Sequence, residues 1–395
     1  MGTPPVFGGY EYTPENMNSR SDELLVDKHN EAMLVMPRLF SENGYDTTVI
    51  DPSYSNYSWV PDLAPFEDYP DVHAFNLSGS FTQDFEILME KTDRGRNRNM
   101  FCYSLFRLSP LVFQNDLYDK GKYNEADYTS INHEQDIMDV SHSVGLNFHF
   151  LDEYAVLQNL AGITQIESSG ADTFLLLVNN ITHEPALLKE PEYAPDDAVD
   201  NGEYDAAHAL RHDSQGRELR IETVDQMVHY HAMSAAMIQL GNWFDYMRQN
   251  GVYDNTRIIV VSDHGRNMGL FGLQFRDKPH RSYKDMLMYI PLLMVKDFGA
   301  GGWSTDTAFM TNADTPVLAM EGLIADPVNP FTGNPITSEP KYAPELHILN
   351  CQHNIEINNG TVFDPKDSVW ITLRNGDALD LDNWEIVNEP PKKMD

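Results

Sequence analysis

Cations are scarce in this sequence. Against 61 Asp and Glu stand only 27 Lys and Arg, a net charge of −34 over 395 residues. Nucleic acid is bound by clustered cations that release counterions from its phosphates, so a nucleic-acid partner is excluded. Anionic lipid headgroups recruit polybasic segments in the same way, and the sequence has none. Cysteine is nearly absent. Cys102 and Cys351 cannot build a disulfide framework, and with no CxxC or Cys/His cluster nothing indicates a structural zinc site. No apolar run reaches the ~18 residues a bilayer span requires, and the N-terminus lacks the basic and apolar regions of a signal peptide. Internal repeats and low-complexity tracts are missing too. What is present is 41% hydrophobic and 11% aromatic residues, enough for a packed core, so global disorder is excluded as well.

The hydrophobic pattern alternates between strand and helix. Residues 31–43 carry Met33, Met36, Leu39 and Phe40 at helical spacing, Gly44 stops the helix, and Thr47–Ile50 follows as a short strand. Phe174–Val178 is a continuous apolar run of the kind found in strands covered on both faces. A long helix is predicted over Glu218–Gln249, ended by Gly251. Arg257–Ser262 reads as the clearest buried strand, and Ile290–Val295 as another. This alternation predicts an α/β fold with a mostly parallel sheet flanked by helices. Beyond residue 335 the Asn358-Asn-Gly360 and Asn375-Gly376 turns separate β-prone runs, predicting a small antiparallel β subdomain over 336–395 after a main domain over 1–335. The acidic stretch Tyr193–Asp213 has no sustained period and is read as a surface loop or lid.

The strongest chemical signal is Val260-Val-Ser-Asp263-His264-Gly265. In parallel sheets functional groups gather past the carboxyl ends of strands, where Asp263 and His264 stand. A carboxylate beside an imidazole offers mixed oxygen and nitrogen ligation for a divalent ion such as Zn or Mn. The plainer alternative is that Asp263 caps the next helix and His264 is incidental. His229 and His231, two residues apart on one helix, cannot share a face and are read as structural or exposed.

The VVSDHG segment resembles the metal-binding motif of the alkaline phosphatase/sulfatase superfamily, particularly its lipoteichoic acid synthase-like and phosphoethanolamine transferase-like branches. Three further segments agree in order: LVMPRLFSENGYDTTVI over 34–50, FLLLVNNITHEP over 174–185, and DTPVLAMEGL over 314–323. Together the resemblance spans roughly residues 3 to 330. It implies a divalent metal ion (Mn, Zn or Mg) held by Asp263, His264 and Thr3, and an anionic phosphate- or sulfate-ester substrate, lipid- or glycan-linked in some members. Thr3, ahead of Pro4-Pro5, occupies the place of the family nucleophile, which forms a covalent ester and needs activation by the cation. The alternative there is a flexible tail with a chance Thr-Pro-Pro. The resemblance also implies that His183 donates to the substrate phosphate and that Lys278, His280 and Arg281 add cationic stabilisation; alternatively, the last three form a solvated basic loop. Trp59 matches a substrate-contacting Trp, although the Arg that accompanies it in lipoteichoic acid synthases has no counterpart nearby.

Two departures matter. Sulfatases oxidise a Cys or Ser within C/S-x-P-x-R to an aldehyde, whereas Thr3 offers no primary carbinol and Phe7 stands in place of the Arg. This favours phosphoryl chemistry over a sulfatase-like sulfuric ester hydrolase. The family's first strand, with its acidic metal ligand, is expected upstream of Thr3, so the sequence reads as one strand short, and a membrane-embedded N-terminal region would be missing for the same reason. A catalytically silent binding module on the same fold is the third alternative. Family members work outside the cytoplasmic membrane, which implies a cell-envelope location.

Overall fold

The structure, a computed structural model, describes residues 2–118, 141–144, 147–167, 170–196, 198–212, 216–219, 221–269, 285–351, 359–363 and 368–387. In chain order the first elements are α1 (Thr3–Gly8), α2 (Pro14–Ser19), α3 (Leu25–Glu42), β1 (Asp46–Ile50) and β2 (Val72–Phe75). They are followed by α4 (Glu86–Leu108), α5 (Leu111–Tyr118), β3 (His142–Val144), α6 (Phe148–Ile163) and β4 (Thr173–Leu177). Next come β5 (Ala198–Asp200), α7 (Gly202–Ala207), β6 (Arg211–His212), β7 (Glu218–Leu219) and α8 (Val224–Gln249). The remainder is β8 (Ile258–Val261), β9 (Leu293–Lys296), α9 (Thr315–Met320), β10 (Glu345–Cys351), β11 (Ser368–Arg374) and β12 (Trp384–Val387). The chain divides into two compact units. The first comprises Met1–Asn76, Ile166–Val178 and Asn250–Asp395; the second comprises Leu77–Gln165 and Asn179–Gln249.

The first unit is built on the expected α/β plan. Its parallel sheet has the order β2-β1-β4, with Thr47 opposite both Val72 and Phe174. Helix α3 buries Ala32, Met33, Val35, Met36, Leu39 and Phe40, and the Phe40 ring stacks on Phe174 at 4.1 Å between centroids. Fully burying a side chain of this size contributes about 1.5–3 kcal/mol, so this helix dominates the core. Pro4 and Pro5 lie in the first turn of α1, where helix N–H groups have no intrahelical partner and their absence costs little. The C-terminal sheet β10-β11-β12 is antiparallel, as anticipated, and Asn375 and Gly376 both take the positive φ values (61° and 67°) that their residue types tolerate. The Asn358 end of the other turn lies outside the described residues.

Three local expectations change. The run over 257–262 forms β8, but its residues are half-buried, because among the described residues β8 pairs only with β9, antiparallel. Only Ile259 and Val261, on alternate positions, pack against the main core. The long helix starts at Val224, not Glu218: β7 pairs with β6, and a reciprocal cap forms in which Gln226 N–H donates to Thr223 Oγ1 (3.2 Å) while Gln226 Oε1 accepts from Glu222 and Thr223 N–H. The Tyr193–Asp213 stretch contains β5, α7 and β6; Arg211 reaches Glu190 and Asp205, each at 2.7 Å, and draws the stretch together.

In the second unit α6 and α8 pack together, with Gln239 Nε2 donating to Tyr154 Oη (3.0 Å) and Trp243 Nε1 to Thr164 Oγ1 (2.9 Å). His231 is structural. Wholly buried on α8, it accepts the Leu188 N–H at Nδ1 (3.0 Å), with Nε2 3.5 Å from Glu190 Oε1. Burial, helped by the charge of Arg211, pushes its pKa from 6.5 down to about 4. Between those two values the unfolded chain takes up a proton that the folded chain refuses, so this site favours folding above pH 6.5 and progressively less as pH falls towards 4. Burial also raises the Glu190 carboxyl, against the pull of Arg211, and a raised carboxyl works in the opposite direction. The expected result is isolated by His231→Asn, whose amide oxygen can still accept the Leu188 N–H. Between about pH 7.5 and 5.5 the thermal midpoint of the parent falls more than that of the variant, by an amount set by the proton linkage. Equal slopes in the two proteins would show that His231 does not titrate in this way.

Candidate active site

The turn after β8 is held by backbone bonds on both sides. Ser262 N–H donates to Leu292 O (3.0 Å), Leu292 N–H donates to Ser262 Oγ (2.7 Å), and Gly265 N–H donates to Met288 O (3.0 Å). Buried Asp285 adds two more contacts, accepting from Gly269 N–H (2.5 Å) and Leu287 N–H (3.0 Å). A Cβ on Gly265 would lie 1.8 Å from Leu287 O, so only glycine permits this approach. The motif thus fixes the direction in which Asp263 and His264 leave the strand.

The N-terminal helix comes directly onto that turn. Thr3 Oγ1 donates to Asp263 Oδ2 at 3.2 Å across 260 residues of sequence. Gly2 makes the contact possible, because a Cβ there would lie 1.8 Å from the Asp263 carbonyl oxygen. Asn312 ties the two segments, its Nδ2 donating to Asp263 O (2.9 Å) and Gly2 O (3.2 Å). The turn that carries Asn312 is itself a capping box, Thr311 with Asp314. Tyr10 Oη donates to Asp314 Oδ2 (3.1 Å) and lies 2.7 Å from Thr311 Oγ1; its hydroxyl is driven above its usual pKa chiefly by burial and remains protonated. Asp314 also lies 3.7 Å from Lys341.

His264 Nδ1 is 2.6 Å from Gly265 O. A carbonyl only accepts, so this contact places the proton of the neutral ring on Nδ1 and leaves a lone pair on Nε2. That Nε2 is 3.8 Å from Asp263 Oδ1, and both side chains are open to solvent, at 51% and 41% exposure. A lone pair beside a carboxylate is repulsive unless a cation or a proton lies between them, so the pair fits a divalent ion, with Thr3 Oγ1 as the third donor. Among the described residues no group of three or more His, Cys, Asp or Glu is arranged to hold a metal, so the donors present are one carboxylate, one imidazole and one hydroxyl.

His183 belongs to the second unit, on a short 3-10 turn (Ile181–His183), with Nδ1 3.2 Å from Glu184 Oε1. The contact with His183 is the main cause holding the Glu184 carboxyl below its usual pKa. Trp59 is 71% exposed and meets Tyr54 edge-on at 5.8 Å. Lys278, His280 and Arg281 lie outside the described residues. Sequence reasoning missed Asn312; the Thr311-x-x-Asp314 pattern marks its turn, but nothing in the sequence aims its amide at residues 2 and 263.

A family model described as Sulfatase matches residues 6–315, which include Asp263, His264, His183 and Asn312, while Thr3 falls just before the matched region. Comparisons with curated proteins and with solved structures returned no match.

Proposed function

Since the chain belongs to the sulfatase family, we propose that it is a metal-dependent phosphotransferase or hydrolase of phosphate esters, with its catalytic region within residues 1–335. Members of the family are enzymes of the alkaline phosphatase/sulfatase superfamily that act on sulfate or phosphate esters and use divalent metal ions. The observation that carries the finer reading is the contact of Thr3 with Asp263 beside His264. A divalent ion held by Asp263, His264 and Thr3 would lower the pKa of the Thr3 hydroxyl and offset charge on the transferred group.

Thr3 Oγ1 is the nucleophile. It attacks phosphorus, the proton it loses ends on the departing ester oxygen, which leaves as the alcohol, and a phosphothreonine ester remains. A second alcohol or water then attacks the same phosphorus and releases Thr3, giving transfer or hydrolysis. Asn312, bonded to both Gly2 O and Asp263 O, keeps the Thr3 oxygen beside Asp263 through both steps. The acceptor follows the resemblance to phosphoglycerol and phosphoethanolamine transferases, with His183, Trp59, Lys278, His280 and Arg281 as candidate substrate contacts.

Sulfuric ester hydrolysis is the second reading, favoured by the description of the matched family. It is disfavoured by Thr3, a secondary alcohol that cannot become the aldehyde of that chemistry. Assaying p-nitrophenyl phosphate and p-nitrophenyl sulfate side by side with Mn, Zn or Mg separates them. Turnover of the phosphate ester is expected to exceed that of the sulfate ester. Preference for sulfate would reverse the assignment, and turnover of neither would favour the silent binding module.

A further inference from the structure

Both ends of α1 are held by one turn, residues 311–314. Asn312 reaches Gly2 O ahead of the helix, and Asp314 accepts from the hydroxyl of Tyr10 just beyond it. Thr3 therefore meets Asp263 on a helix whose placement depends on that turn. The turn depends in its own right on one carboxylate. Asp314 Oδ2 accepts the Thr311 N–H (2.8 Å) as well as Tyr10 Oη (3.1 Å).

The other oxygen, Oδ1, is buried, and no hydrogen-bond donor reaches it among the described residues. What faces it is the Lys341 ammonium, 3.7 Å away on a separate 3-10 turn (Glu339–Tyr342). Both side chains are withdrawn from water, Lys341 at 8% exposure and Asp314 at 0%. Lys341 Nζ also donates to Met310 Sδ (3.1 Å) and lies 5.3 Å from the centre of the Tyr342 ring. A buried ion pair returns little net stability, because desolvation offsets the attraction, yet removing one partner strands the other.

We infer that the Lys341–Asp314 pair is a positioning device for Thr3: by fixing the 311–314 turn it holds α1 where the Thr3 hydroxyl meets Asp263. The inference rests on Thr3 acting at that site as proposed above. The two residues work through Asn312 and Tyr10, not on the reacting atoms. With the ammonium on one side, the carboxylate presents its second oxygen to Thr311 and Tyr10. Without it, Oδ1 would face neither cation nor donor, and the carboxylate would turn, loosening both contacts together. A shift of about 1 Å at a reacting oxygen costs up to about 10²-fold in rate.

Two variants separate positioning from stability. Lys341→Met keeps the length of the side chain and removes its charge, and Lys341→Arg restores the charge. Tyr10→Phe leaves the pair intact and cuts only its link to α1, so it decides the matter if Lys341→Met folds poorly. Each is assayed on p-nitrophenyl phosphate at one Mn concentration, and hydrogen exchange is followed in the peptides that carry α1 and α3. For Lys341→Met and Tyr10→Phe, kcat is expected to fall roughly tenfold with KM within about twofold, while Lys341→Arg stays near the parent. Exchange in α1 should quicken about tenfold or more, with α3 unchanged. A purely structural pair would quicken exchange in both helices together, and that result overturns the inference. Parent-like α1 exchange in both variants overturns it too, as does quickened α1 exchange with parent-like kcat. If the parent turns over neither phosphate nor sulfate ester, the ester chemistry fails by itself, and α1 exchange alone decides whether the pair holds Thr3 in place.

Discussion

An Asp263→Ala variant is expected to hydrolyse p-nitrophenyl phosphate roughly a thousandfold more slowly than the parent in Mn, Zn or Mg. The size follows from several kcal/mol of charge stabilisation by a bound cation, at about 1.4 kcal/mol per tenfold in rate. The side chain is 41% exposed, so its removal leaves no buried group unpaired within the core, and the thermal midpoint should barely move. Asp263→Asn refines the test. It retains an oxygen that can accept from Thr3 Oγ1 but removes the charge, so activity should fall nearly as far as in the alanine variant. If Asp263→Asn instead kept most of its activity, Asp263 would serve mainly to orient Thr3. Calorimetric titration gives a second readout, with Mn or Zn affinity falling in both variants. Parent-like metal binding in Asp263→Ala would remove this residue from the cation site.

The part of this arrangement legible in the sequence was the part written locally. A β-branched run followed by Asp-His-Gly identifies a strand, a sharp exit and two donors within eight residues, and the structure has β8, the Gly265 approach and the paired side chains. Helix α3 and the parallel strands were legible for the same reason, since burial there repeats with the period of the element. What escaped depends on partners distant in sequence. Asn312 acquires its role only when residues 2 and 263 meet, and no spacing encodes that meeting. The half-exposure of β8 depends on which strand lies beside it, information that resides in β9. Even so, one missed boundary was local: Thr223-x-x-Gln226 is a helix start, and it explains why α8 begins where it does.

The identity of the attacking group makes the sharper demand on the geometry. Thr3→Ala is expected to lower turnover by at least ~10³-fold, as loss of a covalent nucleophile does, while leaving Asp263 and His264 in place and metal affinity reduced only modestly. Thr3→Ser restores a hydroxyl at the same position and should recover a substantial part of the activity, because the missing methyl group plays no part in attack. Acid quenching during turnover followed by peptide mass analysis should find a phosphoryl group on the N-terminal peptide of the parent and of the Thr3→Ser variant, and none on that of Thr3→Ala. The three proteins together distinguish two chemistries that share every other residue of the site. If Thr3 only helps to hold the cation, water performs the attack, no phosphopeptide accumulates in any protein, and the alanine variant keeps much of its rate because Asp263 and His264 still supply two donors. If Thr3 is the nucleophile, the alanine variant binds metal yet turns over almost nothing. The close approach of Gly2 to the Asp263 carbonyl favours the second outcome, since it brings the start of α1 onto the turn at a position where no side chain would fit.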